Sequence, residues 1–328
     1  MLISLGRAEV PLHPQIRRMN ALRDGRALAD MLETAYLDEP WDPDQGEVIA
    51  FLRTFGSFDT SLLSEAAGYL WCEGGAIVGN ASVMRNQARR DTWVIGNVAT
   101  HADHRRRGIG RALVASCLRY AHRRGGRFAA LQVTAANAPA LAMYRAFGFS
   151  TLGVVEQYAL GAGRRVGAPT RAIARASWRK RHALAAVLER AMPEAFTWAT
   201  FSQHDSPLGL RYWLDAWLVG LYSAWWFDPV AGALCARLGG AHGPNLFDLY
   251  PAAQAGASDL EALCVTALEF VRAEHRGLAV FSLARLDKDP AGEAAREALK
   301  ALGLSPLRTL VHMRLALEDA GWQEALDA

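Results

Sequence analysis

What the chain has little of narrows the reading first. Four cysteines stand among 328 residues, and Cys72, Cys117, Cys235 and Cys264 lie far apart with no C-x-x-C pair. That spacing offers neither a zinc or iron–sulfur ligand set nor a disulfide framework, so no metal is expected and a reduced, cytoplasmic setting is. Long hydrophobic runs are missing too. The most apolar stretch, Trp213–Phe227, carries Asp215 and falls short of the ~20 residues that a membrane span needs. Arg7 and Glu9 interrupt the apolar N-terminal residues, so no secretory leader is read there. Excess charge is absent, the formal net being +3, which excludes a chain coated with basic residues for nucleic acid. The expectation is a soluble protein with neither a nucleic acid nor a membrane as partner. Its length and its 51% hydrophobic content suit two buried cores.

What is present is concentrated between Val98 and Phe149. Val98-Ala99-Thr100-His101 runs into Arg105-Arg106-Arg107-Gly108-Ile109-Gly110-Arg111. Ile109, Ala112, Leu113, Ser116, Cys117 and Tyr120 then form one helical stripe that ends at Gly125-Gly126. An apolar run, Phe128–Thr134, follows. Asn137-Ala138-Pro139 reads as the start of a second helix, capped by Asn137 and terminated at Gly148. The order is strand, glycine loop, helix, strand, helix. A glycine loop that feeds a helix N-terminus presents unsatisfied amides and partial positive charge, which suits an anion. The four arginines of the loop add charge able to pair bidentately with phosphate.

The rest of the chain shows the same order twice. In the first half, Gln15–Ala21 reads as a strand and Ala27–Tyr36 as a helix. A second helix is capped by Asp42-Pro43, and Ala67–Cys72 with Ala76–Arg85 reads as a hairpin through Gly74-Gly75. Thr92–Thr100 is the strand that feeds the loop. In the second half, Thr170–Ala176, Ala183–Leu188, Ser206-Pro207, the hairpin around Asp228-Pro229, the helices Ser258–Glu274 and Glu293–Leu302 and the strands Leu278–Leu283 and Leu310–Leu317 repeat that order. Two domains follow, 1–162 and 168–328, joined by a Gly-, Arg- and Pro-rich linker over 161–170. The tryptophans at 213, 217, 225 and 226 read as core or interface rather than as a substrate pocket.

Two motifs in the first half resemble those of the GNAT N-acetyltransferase superfamily. One is Arg105-x-x-Gly108-x-Gly110; the other is Asn137-x-x-Ala140-x-x-x-Tyr144-x-x-x-Gly148-Phe149. The resemblance implies an α/β (α+β) fold, with two GNAT-like domains that are each a mixed, largely antiparallel sheet flanked by helices. It implies acetyl-CoA as co-substrate and acyl transfer to an amine. Carried over by position, Val98, Ala99 and Thr100 lie beside the pantetheine arm. Arg105, Arg106, Arg107, Gly108, Ile109, Gly110 and Arg111 hold the pyrophosphate by their backbone amides. Asn137 contacts the pantetheine or its neighbouring loop, and Tyr144 sits near the thioester sulfur as general acid.

The chain departs from the family in one place: Thr92–Thr100 holds no acid, and Gly96 and Asn97 stand where many members carry a carboxylate base. Glu33, Asp38, Glu39, Asp42 and His101 are the alternatives. In the second half, Gly256–Glu261 replaces the basic loop with Asp259 and Glu261. Ser258 and Glu261 read as a capping box, and Leu299 and Gly292 stand opposite Tyr144 and Asn137. The second domain is therefore read as degenerate. The expected activity is acetyl transfer to the primary amine of a small molecule, in a ternary complex. The alternatives are a protein N-terminal or lysine acetyltransferase and a non-catalytic acetyl-CoA-binding regulatory module. A monomer built as a pseudo-dimer of domains, or a homodimer, fits equally.

Overall fold

The computed structural model describes residues 11–36, 66–86, 89–161, 166–171, 173–191, 198, 223–238, 245–274, 278–285, 289–318 and 322–323. The first half runs β1 (Ile16–Arg18), α1 (Ala21–Tyr36), β2 (Ala66–Glu73), β3 (Ala76–Arg85), β4 (Thr92–Thr100), α2 (Ile109–Arg123), β5 (Phe128–Thr134), α3 (Ala138–Ala146) and β6 (Ser150–Leu160). The second runs α4 (Arg181–Ala191), β7 (Ser223–Asp228), β8 (Gly232–Arg237), β9 (Asn245–Pro251), α5 (Ala257–Glu274), β10 (Ala279–Arg285), α6 (Pro290–Ala301) and β11 (Ser305–Ala316).

Local sequence explains most of these elements. The start of α1 is fixed by Asp24, whose carboxylate accepts from Arg17 Nη1 (2.6 Å) and from the Asn20 amide (2.8 Å). Burial works against that charge, but these bonds prevail and hold the carboxyl at about 2. Helix α3 opens as the sequence predicts: Asn137 accepts from the Ala140 amide (3.1 Å), proline stands in the first turn, and Gly148 follows the helix with φ 93°. The Gly74-Gly75 turn and the hairpin of β7 and β8 also lie where they are expected.

Three readings change. Thr170–Ala176 is no strand but a single bridge, Arg175 to Trp226. Strand β9 goes unread in the sequence: Asn245-Leu246-Phe247-Asp248-Leu249-Tyr250-Pro251 lacks clean alternation, because six of its residues are buried against layers on both faces. Helix α5 starts at Ala257, with the Gly256 carbonyl accepting from Leu260 (3.2 Å), so Ser258 stands inside the first turn rather than at its cap. The helices predicted from Asp42 and Ser206, together with Trp213 and Trp217, lie outside the described residues. Trp225 and Trp226 are core, 3% and 1% exposed.

The fold is the mixed sheet with flanking helices that the sequence implies, but the two half-sheets are fused. The strand order is β1-β2-β3-β4-β5-β11-β6-β10-β9-β8-β7. Among the described residues, only β4 with β5 and β9 with β10 pair in parallel. The last strand of each half crosses into the other: β11 lies between β5 and β6, and β6 pairs with β11 and β10. The cores follow. Val311, Met313 and Leu315 of β11 join the core under α2 and α3, whereas Tyr158 and Leu160 of β6 join the core under α5 and α6. Each such fully buried apolar side chain is worth roughly 1.5–3 kcal/mol, so neither half closes its core alone. A chain cut after Gly161 is expected to aggregate or unfold non-cooperatively, because β5 loses its neighbour and bares a strand edge. Size-exclusion chromatography and thermal unfolding check this; a monomeric, cooperatively folded first half would contradict it.

Candidate functional site

Strands β4 and β5 start side by side and then part. They pair from Thr92 with Phe128 to Ile95 with Leu131, and the pairing stops there. Beyond Ile95, among the described residues, β4 has β3 on one side and no strand on the other. The cause is a bulge. Asn80 stands opposite Ala99 and Ser82 opposite Gly96, so two steps along β3 face three along β4. Asn97 absorbs the extra residue in the left-handed region, with φ 52°. A bulge bends and twists its strand, and this one turns β4 from β5. Two side chains of β3 brace it: Asn80 Nδ2 donates to the Asn97 carbonyl (2.8 Å) and Ser82 Oγ to the Gly96 carbonyl (3.0 Å). Residues Thr92 to Ile95 are buried, while Asn97 is exposed.

The loop after β4 ends at an open helix. The His101 amide prolongs the ladder to the Val78 carbonyl (2.9 Å), and a short turn, Ala102–His104, leads to Arg106 (φ 62°) and Gly108 (φ 79°). Gly108 precedes α2 in a left-handed conformation with no side-chain cap. The Ala112 amide bonds the Gly108 carbonyl (3.0 Å), and no helix carbonyl can serve the first-turn amides ahead of it. Ile109 is 1% exposed and anchors this turn. Gly79 admits it: a Cβ there would stand 2.8 Å from Ile109 Cγ2 and 3.0 Å from Leu113 Cδ1. At Gly110, by contrast, a Cβ would meet only ordinary neighbours, Thr100 Oγ1 at 3.7 Å and Met143 Sδ at 3.9 Å. The protein's own packing leaves room there for a side chain.

The four arginines of the loop take different neighbours. Arg105 Nη2 donates to the Ala35 carbonyl at the end of α1 (2.8 Å). Arg107 pairs with Glu73 (2.9 Å), which also accepts from Trp71 Nε1 (3.0 Å) and stands 3.5 Å from His104. The Trp71 bond first, and then those from Arg107, hold the Glu73 carboxyl below the ordinary range. The Arg111 guanidinium lies over the Phe147 ring (5.3 Å), and Arg106 is exposed. Much of the loop's side-chain charge thus fixes the loop.

The remaining predicted residues that are described lie on β4, on α1, in the loop after β4 and at α3. Val98 packs on the α2 core, Ala99 on the α1 cluster, and Thr100 pairs with Gly79. The Asn137 oxygen is engaged as a helix cap. Tyr144 is 5% exposed, its ring edge-on to Phe149 at 5.8 Å. Among the candidate bases, Glu33 is exposed on α1 and His101 is half-buried, 3.7 Å from Asp103. Asp38, Glu39 and Asp42 lie outside the described residues. Sequence reasoning missed Asn80, Ser82, Glu73 and Gly79. The available signal was two polar residues and a mid-strand glycine in the otherwise apolar Ala76–Arg85.

Among the described residues, the corresponding strands of the second half show no bulge. Strands β8 and β9 pair in unbroken register from Gly232 with Pro251 to Arg237 with Leu246, and β9 follows β10 as far as Leu249 with Leu283. At the start of α5, Arg171 binds Asp259 (3.2 Å) and Asp228 (2.6 Å). The Arg171 bond, aided by the Val230 and Ala231 amides, holds Asp228 at about 2. An internal ion pair closes the second half where the first half has an open loop.

Comparison with known proteins agrees with this geometry. Residues 27–149 match the family model described as "Acetyltransferase (GNAT) family". A GCN5-related N-acetyltransferase from Sphaerobacter thermophilus is similar over 92% of this chain and 95% of its own, with a TM-score of 0.65 and 15% identity. A tandem GNAT protein from the clavulanic acid biosynthesis pathway is similar over 92% of this chain and 98% of its own, with a TM-score of 0.61 and 16% identity. No curated protein matches the chain. At such identities the solved structures speak for the fold and the family match for the first half. Residues 27–149 therefore match the GNAT acetyltransferase family, within a chain that has the fold of a tandem GNAT protein.

Proposed function

We propose that the chain transfers the acetyl group of acetyl-CoA to the primary amine of a small molecule, directly, at the parting of β4 and β5. The observation that carries this reading is the conjunction of an open β4 edge beyond Ile95 with an uncapped helix start at Gly108. Acetyl-CoA would supply an activated acyl thioester. Its pyrophosphate fits the first-turn amides of α2, with Gly108 and Gly110 leaving the backbone bare and Arg106 adding exposed charge. Arg105, Arg107 and Arg111 act by holding the loop in shape, since a preformed cradle spends no binding energy on ordering.

The other residues take roles set by their positions. The edge of β4 at Val98, Ala99 and Thr100 binds the extended pantetheine arm as an added strand does, and its amides polarise a carbonyl oxygen laid against them. Asn137 fixes the start of α3, which carries Tyr144. The Tyr144 hydroxyl gives a proton or a hydrogen bond to the departing thiolate sulfur. The second half serves as scaffold, and its strand β11 completes the sheet beside β5.

Two outcomes test the assignment. Calorimetric titration is expected to return one acetyl-CoA per chain; two comparable sites would remove the distinction between the halves. With an amine that supports thiol release, Tyr144→Phe keeps the ring and is expected to lower turnover by about tenfold or more with acetyl-CoA affinity nearly unchanged. A variant that turns over at the unaltered rate, with chemistry shown to be rate-limiting, would leave Tyr144 as packing alone.

A further inference from the structure

We infer that Asn80 is a positioning residue of the transfer site: its carboxamide holds the β4 bulge open, and the bulge in turn sets the backbone amides that face the thioester. The inference rests on the acetyl-transfer reading and adds a residue on a neighbouring strand, outside both sequence motifs.

The reasoning begins with a backbone deficit. A bulge gives one strand an extra residue that the partner strand cannot pair. At Asn97 that residue is also held at φ 52°, a costly conformation for a side-chain-bearing residue. Left alone, β4 would lower its energy by slipping one residue into regular register with β3, which would swing its side chains to the opposite face. Asn80 opposes the slip. Its Nδ2 donates to the Asn97 carbonyl at 2.8 Å and so replaces the ladder bond that the extra residue forfeits. Ser82 does the same for the Gly96 carbonyl at 3.0 Å and accepts from Asn97 Nδ2 at 3.3 Å. Three side-chain bonds therefore converge on two residues of β4.

A second observation marks Asn80 as more than a convenient filler. The residue is 2% exposed, and its Oδ1 is buried with no hydrogen-bond partner among the described residues. A buried, unmatched carboxamide oxygen is unfavourable. An apolar side chain of the same size would suit the burial better but could not brace the bulge. The bulge also distinguishes the two halves among the described residues, because β8 and β9 pair without one and β9 follows β10 as far as Leu249. Asn80 thus stands at the point where the half with the open loop and the half without it part in structure.

The test uses the full chain with Asn80→Leu, which keeps the volume and removes the donor, and with Ser82→Ala, a milder variant should the first unfold. Hydrogen exchange of the Gly96–Thr100 amides is read first, because it needs no acceptor. Exchange is expected to rise by about tenfold or more in this segment alone, and unchanged exchange would overturn the inference. Kinetics follow, with an amine that the unaltered chain acetylates. The expected result is a kcat lower by about tenfold or more, with a smaller loss of CoA affinity, because the pantetheine arm loses part of its β4 edge while the pyrophosphate loop of α2 is untouched. The double variant should lose less than the product of the two single losses, since both act through one bulge. A loss of CoA affinity equal to the loss of kcat would mean general destabilisation and overturn the inference. Failure of the unaltered chain to release thiol with any amine would overturn the acetyl-transfer reading instead, with the exchange result still deciding the role of Asn80 in the bulge.

Discussion

The antiparallel pair of β6 and β11 makes one molecule of two similar halves. Each strand ends its own half and is embedded in the other's. Their registers run from Ser305 with Ala159 to Arg314 with Ser150. Side chains then bind across the join: Arg308 Nε donates to Gln157 (2.6 Å), Gln157 to Ser282 (3.1 Å), and Arg296 pairs with Glu156 (2.8 Å). At the middle of β11, His312 is fully buried opposite Gln132 of β5, and desolvation lowers it to about 4, so it is neutral at ordinary pH. The sheet beside β5 is therefore built from β11 of the second half.

On that common frame the halves diverge by small backbone events. One extra residue in β4, held by two polar side chains of β3, separates β4 from β5. The unbroken ladder of β8 and β9 leaves β9 against β10. One helix starts at a left-handed glycine with open amides; the other starts beside an Arg171 that already binds two acids. An anion is welcome at the first and would meet Asp259 at the second.

The sequence made legible whatever depends on local chemistry. The glycine loop, the Asn137 cap, the Gly148 stop and the Gly74-Gly75 hairpin each follow from residue type and spacing over a few positions. The two motifs carried the family, and the repeated element order carried the tandem architecture. What stayed hidden depends on partners distant in sequence. Nothing local in Arg105 or Arg107 announces Ala35 or Glu73 as partners. Nothing in Asn80 announces a bulge on another strand, and nothing in β11 announces that it crosses to β5. Strand β9 escaped because burial on both faces erases the alternation by which strands are recognised.

The central claim is that the backbone around Gly110 was left bare for an anion rather than for the protein's own packing. Calorimetry of acetyl-CoA binding to Gly110→Val, with thermal unfolding of the same sample, tests it most directly. The room around Gly110 predicts a variant that unfolds near the unaltered temperature yet binds acetyl-CoA at least about tenfold more weakly, because the new side chain stands where the pyrophosphate meets the first-turn amides. A folded variant with unchanged affinity would contradict the account and move the cofactor away from this loop.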